Sequence, residues 1–272
     1  MVTFVILLVA LLVLFILYVL STMCRRGRGK MRRFRRYAYA HRGLHGDGVP
    51  ENSMQAFRRA KEAGYGVELD VHLLADGSLA VIHDAQLKRT TGVEGMITDL
   101  KAADLLSYKL EGTAETIPLF SDVLEMFAGQ VPIILELKCD KNNYAALCEE
   151  ACRVMDSYEG LWCMESFDPR CIRWLCKNRP NVIRGQLTEN YFKSSAAKIP
   201  AVLKFLLKAQ MMNFLLLPDF VAYRFSDRKN FSNFLVEKLW GAQSVTWTLK
   251  DPQQHQDAIQ EGRIPIFEGY LP

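Results

Sequence analysis

From residue 37 to residue 267 the chain alternates short apolar runs of strand length with stretches of helical periodicity. Buried strands that alternate with amphipathic helices call for a parallel sheet covered by helices, and a series this long closes into a barrel. Strands are expected at residues 37–41, 66–72, 79–83, 132–138, 161–166, 182–187, 214–220, 243–249 and 264–267. That is one more than the eight a closed barrel of this kind uses. Only residues 73–78, with Asp76-Gly77 as a turn signal, separate the second from the third, so this close pair is the expected irregularity. A helix is expected from Ser53, with Met54, Phe57 and Ala60 on one face and Gly64 as its stop. Others are expected at 98–107, from a Ser121 cap to near Gly129, at 143–156 and at 232–240 before Gly241. Asp168-Pro169 and Asp251-Pro252 each start a helix with an Asp cap and a Pro at the first helical position.

The first segment is a separate physical object. In residues 2–20 only Thr3 and Tyr18 carry side-chain polar groups. Nineteen helical residues reach roughly 28 Å, about the hydrocarbon thickness of a bilayer. A cleaved leader would need a basic start and a small-residue cleavage site, and neither is present. The segment reads as one N-terminal transmembrane helix, residues 1–21. Arg25, Arg26, Arg28, Lys30, Arg32, Arg33, Arg35 and Arg36 follow, with no acid among them. This basic linker, residues 22–36, places the rest of the chain in the cytoplasm and is expected to lie on anionic headgroups. The span accounts for the run without a nucleic-acid partner. Setting those eight aside leaves 26 Lys and Arg against 30 Asp and Glu, so the folded part, residues 37–272, is mildly acidic. Removing residues 1–36 is expected to leave that part intact.

The seven cysteines form no CxxC pair and read as small buried side chains in a reducing compartment. Cys24, at the membrane edge, is the exception and an acylation position. Residues 199–223 are too apolar for a surface loop. They are expected to form a buried helix and a core strand, with contact of the first part with the bilayer as the alternative.

Chemistry gathers in the first half. Glu68 and Asp70, two apart on a strand, share one side of it. Such close carboxylates repel unless protons or a cation neutralise them, and a hard divalent ion, Mg²⁺ or Ca²⁺, prefers oxygen ligands of this kind. Glu136, amid Ile133, Ile134, Leu135 and Leu137, is the third candidate ligand. His41 and His83 each end a predicted strand, where barrel enzymes place catalytic groups. As a pair they can take and give a proton. Arg42 and Lys138 supply positive charge for an anion. His45, His72 and His255 read as structural or surface residues.

These residues stand in longer motifs: His41-Arg42-Gly43, Pro50-Glu51-Asn52-Ser53, Phe57, Gly64, Glu68-Leu69-Asp70-Val71, Asp76-Gly77, His83-Asp84, Leu87 and Arg89-Thr90-Thr91-Gly92. Leu135-Glu136-Leu137-Lys138, Glu165-Ser166-Phe167-Asp168, Gly185-Gln186-Leu187 and Trp247-Thr248 follow. Together they resemble the glycerophosphodiester phosphodiesterase family, over residues 37–272 and most specifically in the first hundred of these. The resemblance implies a TIM-type (β/α)8 barrel that hydrolyses glycerophosphodiesters to glycerol 3-phosphate and an alcohol. It implies one divalent metal at Glu68, Asp70 and Glu136, acid–base roles for His41 and His83, and phosphate binding by Arg42 and Lys138. It also implies attack by the substrate's own 2-hydroxyl, giving a cyclic phosphate that water then opens. Family members commonly carry Thr-Asp before a closing Tyr-Pro, whereas this chain ends Phe267-Glu268-Gly269-Tyr270-Leu271-Pro272.

The sequence thus reads as a single-pass membrane protein with a cytoplasmic phosphodiesterase barrel. Its substrate is a small-molecule or lipid phosphodiester, with lysophospholipase D action on membrane lipids included. The rival is a catalytically silent lipid-headgroup binding or scaffold protein on the same barrel. A sugar-cleaving site is disfavoured because the acids sit too close together on one strand to straddle a glycosidic bond. Oligomeric state is not readable from the chain.

Overall fold

The computed structural model describes residues 1–194 and 199–272. Helix α1 (Val2–Ser21) stands out from the body and buries none of its residues. Eight parallel strands then close a barrel: β1 (Tyr39–His41), β2 (Gly66–Leu73), β4 (Ile133–Leu137), β5 (Trp162–Ser166), β6 (Arg184–Thr188), β7 (Phe220–Arg224), β8 (Gln243–Leu249) and β9 (Ile264–Phe267), with β9 pairing back onto β1. The ninth strand, β3 (Leu79–Val81), is the expected irregularity and runs antiparallel to the end of β2.

Seven of the helices line the outside or the rims: α2 (Met54–Glu62), α3 (Lys88–Thr91), α4 (Phe120–Phe127), α5 (Tyr144–Met155), α6 (Pro169–Asn178), α7 (Ala201–Lys208) and α8 (Asn213–Leu216). Two more among the described residues are α9 (Phe231–Phe234) and α10 (Pro252–Gln260). Ser53 caps α2, accepting from the Ala56 amide at 3.1 Å, and Asp168 and Asp251 cap α6 and α10 as their sequences require. Between helices and strands the outward residues of β2 and β4 (Val67, Leu69, Val71, Ile133, Leu135) join Phe57, Phe120 and Phe127 in the main core.

Four local expectations shift. The strand expected at 214–220 begins later: residues Asn213–Leu216 wind into α8, and Leu217, left-handed before Pro218, ends that turn so that β7 starts at Phe220. The helix expected at 98–107 is two 3₁₀ turns, Ile97–Asp99 and Ala102–Ser107, because the Asp76 carboxylate binds the Ala102 amide at 2.9 Å and starts a new turn there. Helix α4 begins at Phe120, one residue before Ser121, which does not cap it. The 232–240 helix starts one residue early as α9, capped by Asn230. It continues as a wide π turn over Leu235–Trp240 and stops at left-handed Gly241.

The basic run is the largest correction. Expected as a linker lying on anionic headgroups, it folds across the N-terminal end of the barrel in two 3₁₀ turns, Lys30–Arg32 and Phe34–Arg36. Met31 and Phe34 point inward, fully buried against Tyr39, Ile134, Phe220, Val245 and Ile264, and plug that end. Arg25 pairs with buried Asp219 and donates to the carbonyls of Pro180 and Val182 at 2.6 and 3.1 Å. Gly27 lies so close to the Asp219 backbone that a Cβ would sit 1.6 Å from its carbonyl oxygen. A boundary at residue 37 therefore cuts through a packed unit, which begins near Thr22. Cys24 is buried in that contact, with Asn213 donating to its Sγ at 3.4 Å, so it is no exposed thiol at a membrane edge.

Candidate functional site

Alternation along each strand decides what faces the barrel axis. Near the plug the inward residues are apolar; toward the C-terminal ends they become charged. Glu68 and Asp70 come from β2, Glu136 from β4 and Lys138 from just beyond it, and Glu165 from β5. Asp70, Glu136 and Glu165 are direct register partners across three neighbouring strands. One carboxylate oxygen from each of Glu68, Asp70 and Glu136 lies within 4.8 Å of the others, and all three residues are buried.

The seven residues singled out from sequence converge here. Lys138 Nζ lies 3.0 Å from Asp70 Oδ1 and 2.8 Å from Glu136 Oε1. Arg42 Nε is 3.5 Å from Asp70 Oδ2, and its guanidinium also grips both oxygens of Glu51 at 3.0 Å. His41 ends β1, with Nε2 3.9 Å from Glu68 Oε2. His83 arrives by an unexpected route. It does not end a barrel strand: β2 overshoots the barrel, the chain reverses at Asp76-Gly77, and β3 brings it back until the Ile82 amide bonds the Asp70 carbonyl at 3.2 Å. His83 thus reaches the same rim from above.

Four buried carboxylates, Glu68, Asp70, Glu136 and Glu165, gather here with Arg42 and Lys138 as the permanently charged cations beside them. Burial and mutual repulsion raise Glu68, Glu136 and Glu165 above the usual carboxylate range. Asp70 goes the other way. Burial opposes its charge, but Lys138, His83 and Arg42 together with an Asn52 amide at 2.8 Å hold it well below its ordinary value. This donor set, all hard oxygens with excess negative charge, fits a divalent cation.

Each histidine has its own carboxylate. His41 Nδ1 donates to Glu268 Oε2 at 2.6 Å, and Lys250 holds the other oxygen of Glu268 at 2.5 Å. His83 Nδ1 donates to Asp84 Oδ1 at 2.5 Å, and Arg89 anchors Asp84. A carboxylate on Nδ1 fixes the tautomer and leaves Nε2 free. Burial lowers both imidazoles, His83 to about 4. His72 is buried on the Asp70 side of β2 and binds the His83 carbonyl at 3.1 Å.

Glu165 and Glu268 stand in the motifs read from sequence but receive no role there. Glu165 carried a readable signal, an acid flanked by apolar residues on a strand. Glu268 carried a weaker one, an acid just past the last strand, and its partner lies 227 residues away. Across the mouth stand Phe167 and Trp247 in an edge-to-face pair at 5.5 Å, with Arg224 over the Trp247 ring and paired to Glu189 at 3.0 Å. The mouth is thus charged on one side and aromatic on the other.

Residues 41–267 match the family model described as the glycerophosphoryl diester phosphodiesterase family. A glycerophosphodiester phosphodiesterase of Bacillus altitudinis is 42% identical over 113 residues, covering 39% of this chain and 46% of that protein. The lysophospholipase D GDPD1 of Rattus norvegicus is 38% identical over 126 residues, covering 42% of this chain and 40% of that protein. The chain thus spans less than half the length of both of these curated relatives. A phosphodiesterase from Oleispira antarctica, solved with the product sn-glycerol-3-phosphate, is similar in fold, with a TM-score of 0.68 over 85% of this chain and 92% of its own at 22% identity. With the family model matched over most of its length, the chain belongs to the glycerophosphoryl diester phosphodiesterase family.

Proposed function

We propose that this protein is a metal-dependent hydrolase of glycerophosphodiesters, held on a membrane by α1 with its barrel in the cytoplasm. The observation that carries the reading is the pairing of a buried three-carboxylate cluster with two carboxylate-bound histidines at one barrel mouth. Glu68, Asp70 and Glu136 would hold one divalent ion, Mg²⁺ or Ca²⁺. When bound, that ion supplies Lewis-acid charge for the glycerol and phosphate oxygens. Arg42 and Lys138 bind the phosphate and stabilise the charge that grows on it. The Nε2 of one histidine takes the proton of the substrate's 2-hydroxyl as that oxygen attacks phosphorus. The Nε2 of the other gives a proton to the departing alcohol, leaving a cyclic phosphate. The roles then reverse, and water opens the ring to glycerol 3-phosphate. Glu268 and Asp84 position the two rings.

The test is release of glycerol 3-phosphate from glycerophosphocholine by the full chain in detergent. Release is expected, is expected to stop with EDTA, and should return with Mg²⁺ or Ca²⁺. Absence of release from that diester, with lysophosphatidylcholine also giving no choline and lysophosphatidic acid, would favour the silent binding protein.

Glu268 is read as a positioning residue, so Glu268→Gln should lower kcat by about 10-fold or more, as outer partners of active-site histidines do. It should also shift the pH–rate profile, because the amide no longer favours the His41 imidazolium. An unchanged pH profile would reduce Glu268 to a structural contact.

A further inference from the structure

The rim between β6 and β8 leaves an apolar surface uncovered beside the base of α1. Helix α7, with sequence AVLKFLLK, buries only Leu207. Its Val202 is 71% exposed and its Phe205 54%. The end of α7 sits at barrel-rim height: Thr188, the last residue of β6, donates to the Leu207 carbonyl at 3.1 Å, and Tyr223 of β7 donates to that of Lys208 at 3.2 Å. Ser232 of α9 reaches the same Lys208 carbonyl at 3.4 Å, so α7 and α9 abut. There Phe231 and Phe234 stack, each more than half exposed, while Lys208 lies over the ring of exposed Phe192.

Helix α1 joins this patch. Phe15 and Tyr18 stack on Phe231 at 6.3 and 6.2 Å, whereas Thr22, just past the helix, accepts from Trp240 at the other end of the 231–240 segment. Trp240 precedes β8 and so marks the N-terminal end of the barrel; Phe231 follows β7 and lies toward the C-terminal end. Followed back toward its N-terminus, α1 therefore leaves the body on the side of the C-terminal rim. The helix meets its solvent-exposed apolar stretch where the barrel exposes its own. Lys204 and Lys208 are interspersed with the aromatics, and Lys193 beside them is paired with Asp227 at 2.9 Å; apolar rings among lysines are the mixture an interfacial surface uses against anionic headgroups.

We propose that the rim formed by Phe192, α7 and α9 seats in the headgroup layer of the bilayer that α1 crosses, so that the catalytic mouth opens onto that leaflet and takes its diester from it. The substrate class is then a lysophospholipid, whose glycerol phosphate stands at headgroup level. The inference rests on the reading of α1 as a membrane span. The plugged, arginine-rich end of the barrel faces away from the lipid.

The experiment uses the full chain in phospholipid vesicles, with Phe205→Trp, Phe234→Trp and Arg35→Trp as single variants. Co-flotation with the vesicles reports the anchor by itself. Fluorescence in lipids with brominated acyl chains then reports depth. The Trp added at 205 or 234 is expected to be quenched and that at 35 not. A chain that floats with quenching at 35, or at none of the three, overturns the seated rim and leaves the anchor standing; a chain that does not float overturns both. In a second arm, the double variant Phe205→Ser, Phe234→Ser should lose at least tenfold in kcat/KM on vesicle-borne lysophosphatidylcholine and keep its rate on glycerophosphocholine. An equal fall on both diesters would show a damaged fold rather than a lost surface. Quenching with no hydrolysis of either diester by the parent chain would sink the enzymatic reading and spare the surface.

Discussion

Alanine in place of His41, or of His83, is expected to lower kcat on glycerophosphocholine by about 10²- to 10⁴-fold, the range general acid–base groups supply. That loss is about 3–5 kcal/mol of transition-state stabilisation. The expectation rests on geometry. Each ring spends Nδ1 on a carboxylate, at 2.6 Å for His41 and 2.5 Å for His83, which leaves Nε2 free, and that of His41 lies 3.9 Å from Glu68 Oε2. Neither substitution removes a core contact: both side chains line the mouth, and Lys250 and Arg89 remain to hold Glu268 and Asp84. The thermal midpoint should therefore stay near that of the parent while turnover collapses. KM should change less than kcat, because the proposed phosphate grip belongs to Arg42 and Lys138 and not to the histidines. A variant within tenfold of the parent rate would remove that histidine from the proton transfers.

Cutting the chain at residue 37 should cost far more than cutting it at residue 22. A chain lacking residues 1–21 keeps Arg25 on Asp219 and the Met31–Phe34 plug. A chain lacking residues 1–36 opens the barrel end and strips two fully buried side chains from a packed cluster. Removal of a buried Met or Phe side chain typically costs about 2–5 kcal/mol each. The two together approach the whole stability of an ordinary domain, about 5–15 kcal/mol. The shorter deletion is expected to be soluble and folded, the longer one aggregated or molten. Phe34→Ala in the full chain isolates the contact, with an expected loss of about 3–5 kcal/mol in a denaturant titration. A longer deletion as stable as the shorter one would mean that the run merely covers the barrel.

The apolar plug explains why the basic run misleads when read alone. Arginines at 25, 26, 28, 32, 33, 35 and 36 dominate its composition, yet the two residues that determine its place are Met31 and Phe34. Three apart on tight 3₁₀ turns, they fall on one side and leave the arginines on the other. A reading based on charge weights the outward face, from which Arg25, on Asp219, makes a contact that helps to seat the run.

His83 teaches a similar lesson about direction. Its segment has the composition of a barrel strand, and its short link to β2 marked it as irregular, but composition does not state polarity. A link of a few residues can join only antiparallel neighbours, since a parallel return needs a crossover of a dozen or more. The short turn at Asp76-Gly77 therefore held the answer, and the reversal delivers the imidazole to Asp70 from above.

By itself, the sequence determined what depends on neighbours along the chain. The strand–helix alternation, the Asp-Pro helix starts, the shared face of Glu68 and Asp70 and the apolar length of α1 all follow from periods of two or 3.6 residues and from local capping. Only the tertiary structure decided which distant groups meet. Barrel closure brings β9 beside β1 and so sets Glu268 on His41, across 227 residues; register across β2, β4 and β5 aligns Asp70, Glu136 and Glu165; and packing around Met31 and Phe34 turns the basic run into a plug, while contacts with Phe231 send α1 out on the C-terminal side of the barrel. The physical reason is that local pattern fixes which side of an element is buried, while the partner on that side is chosen by how the elements close around a common core.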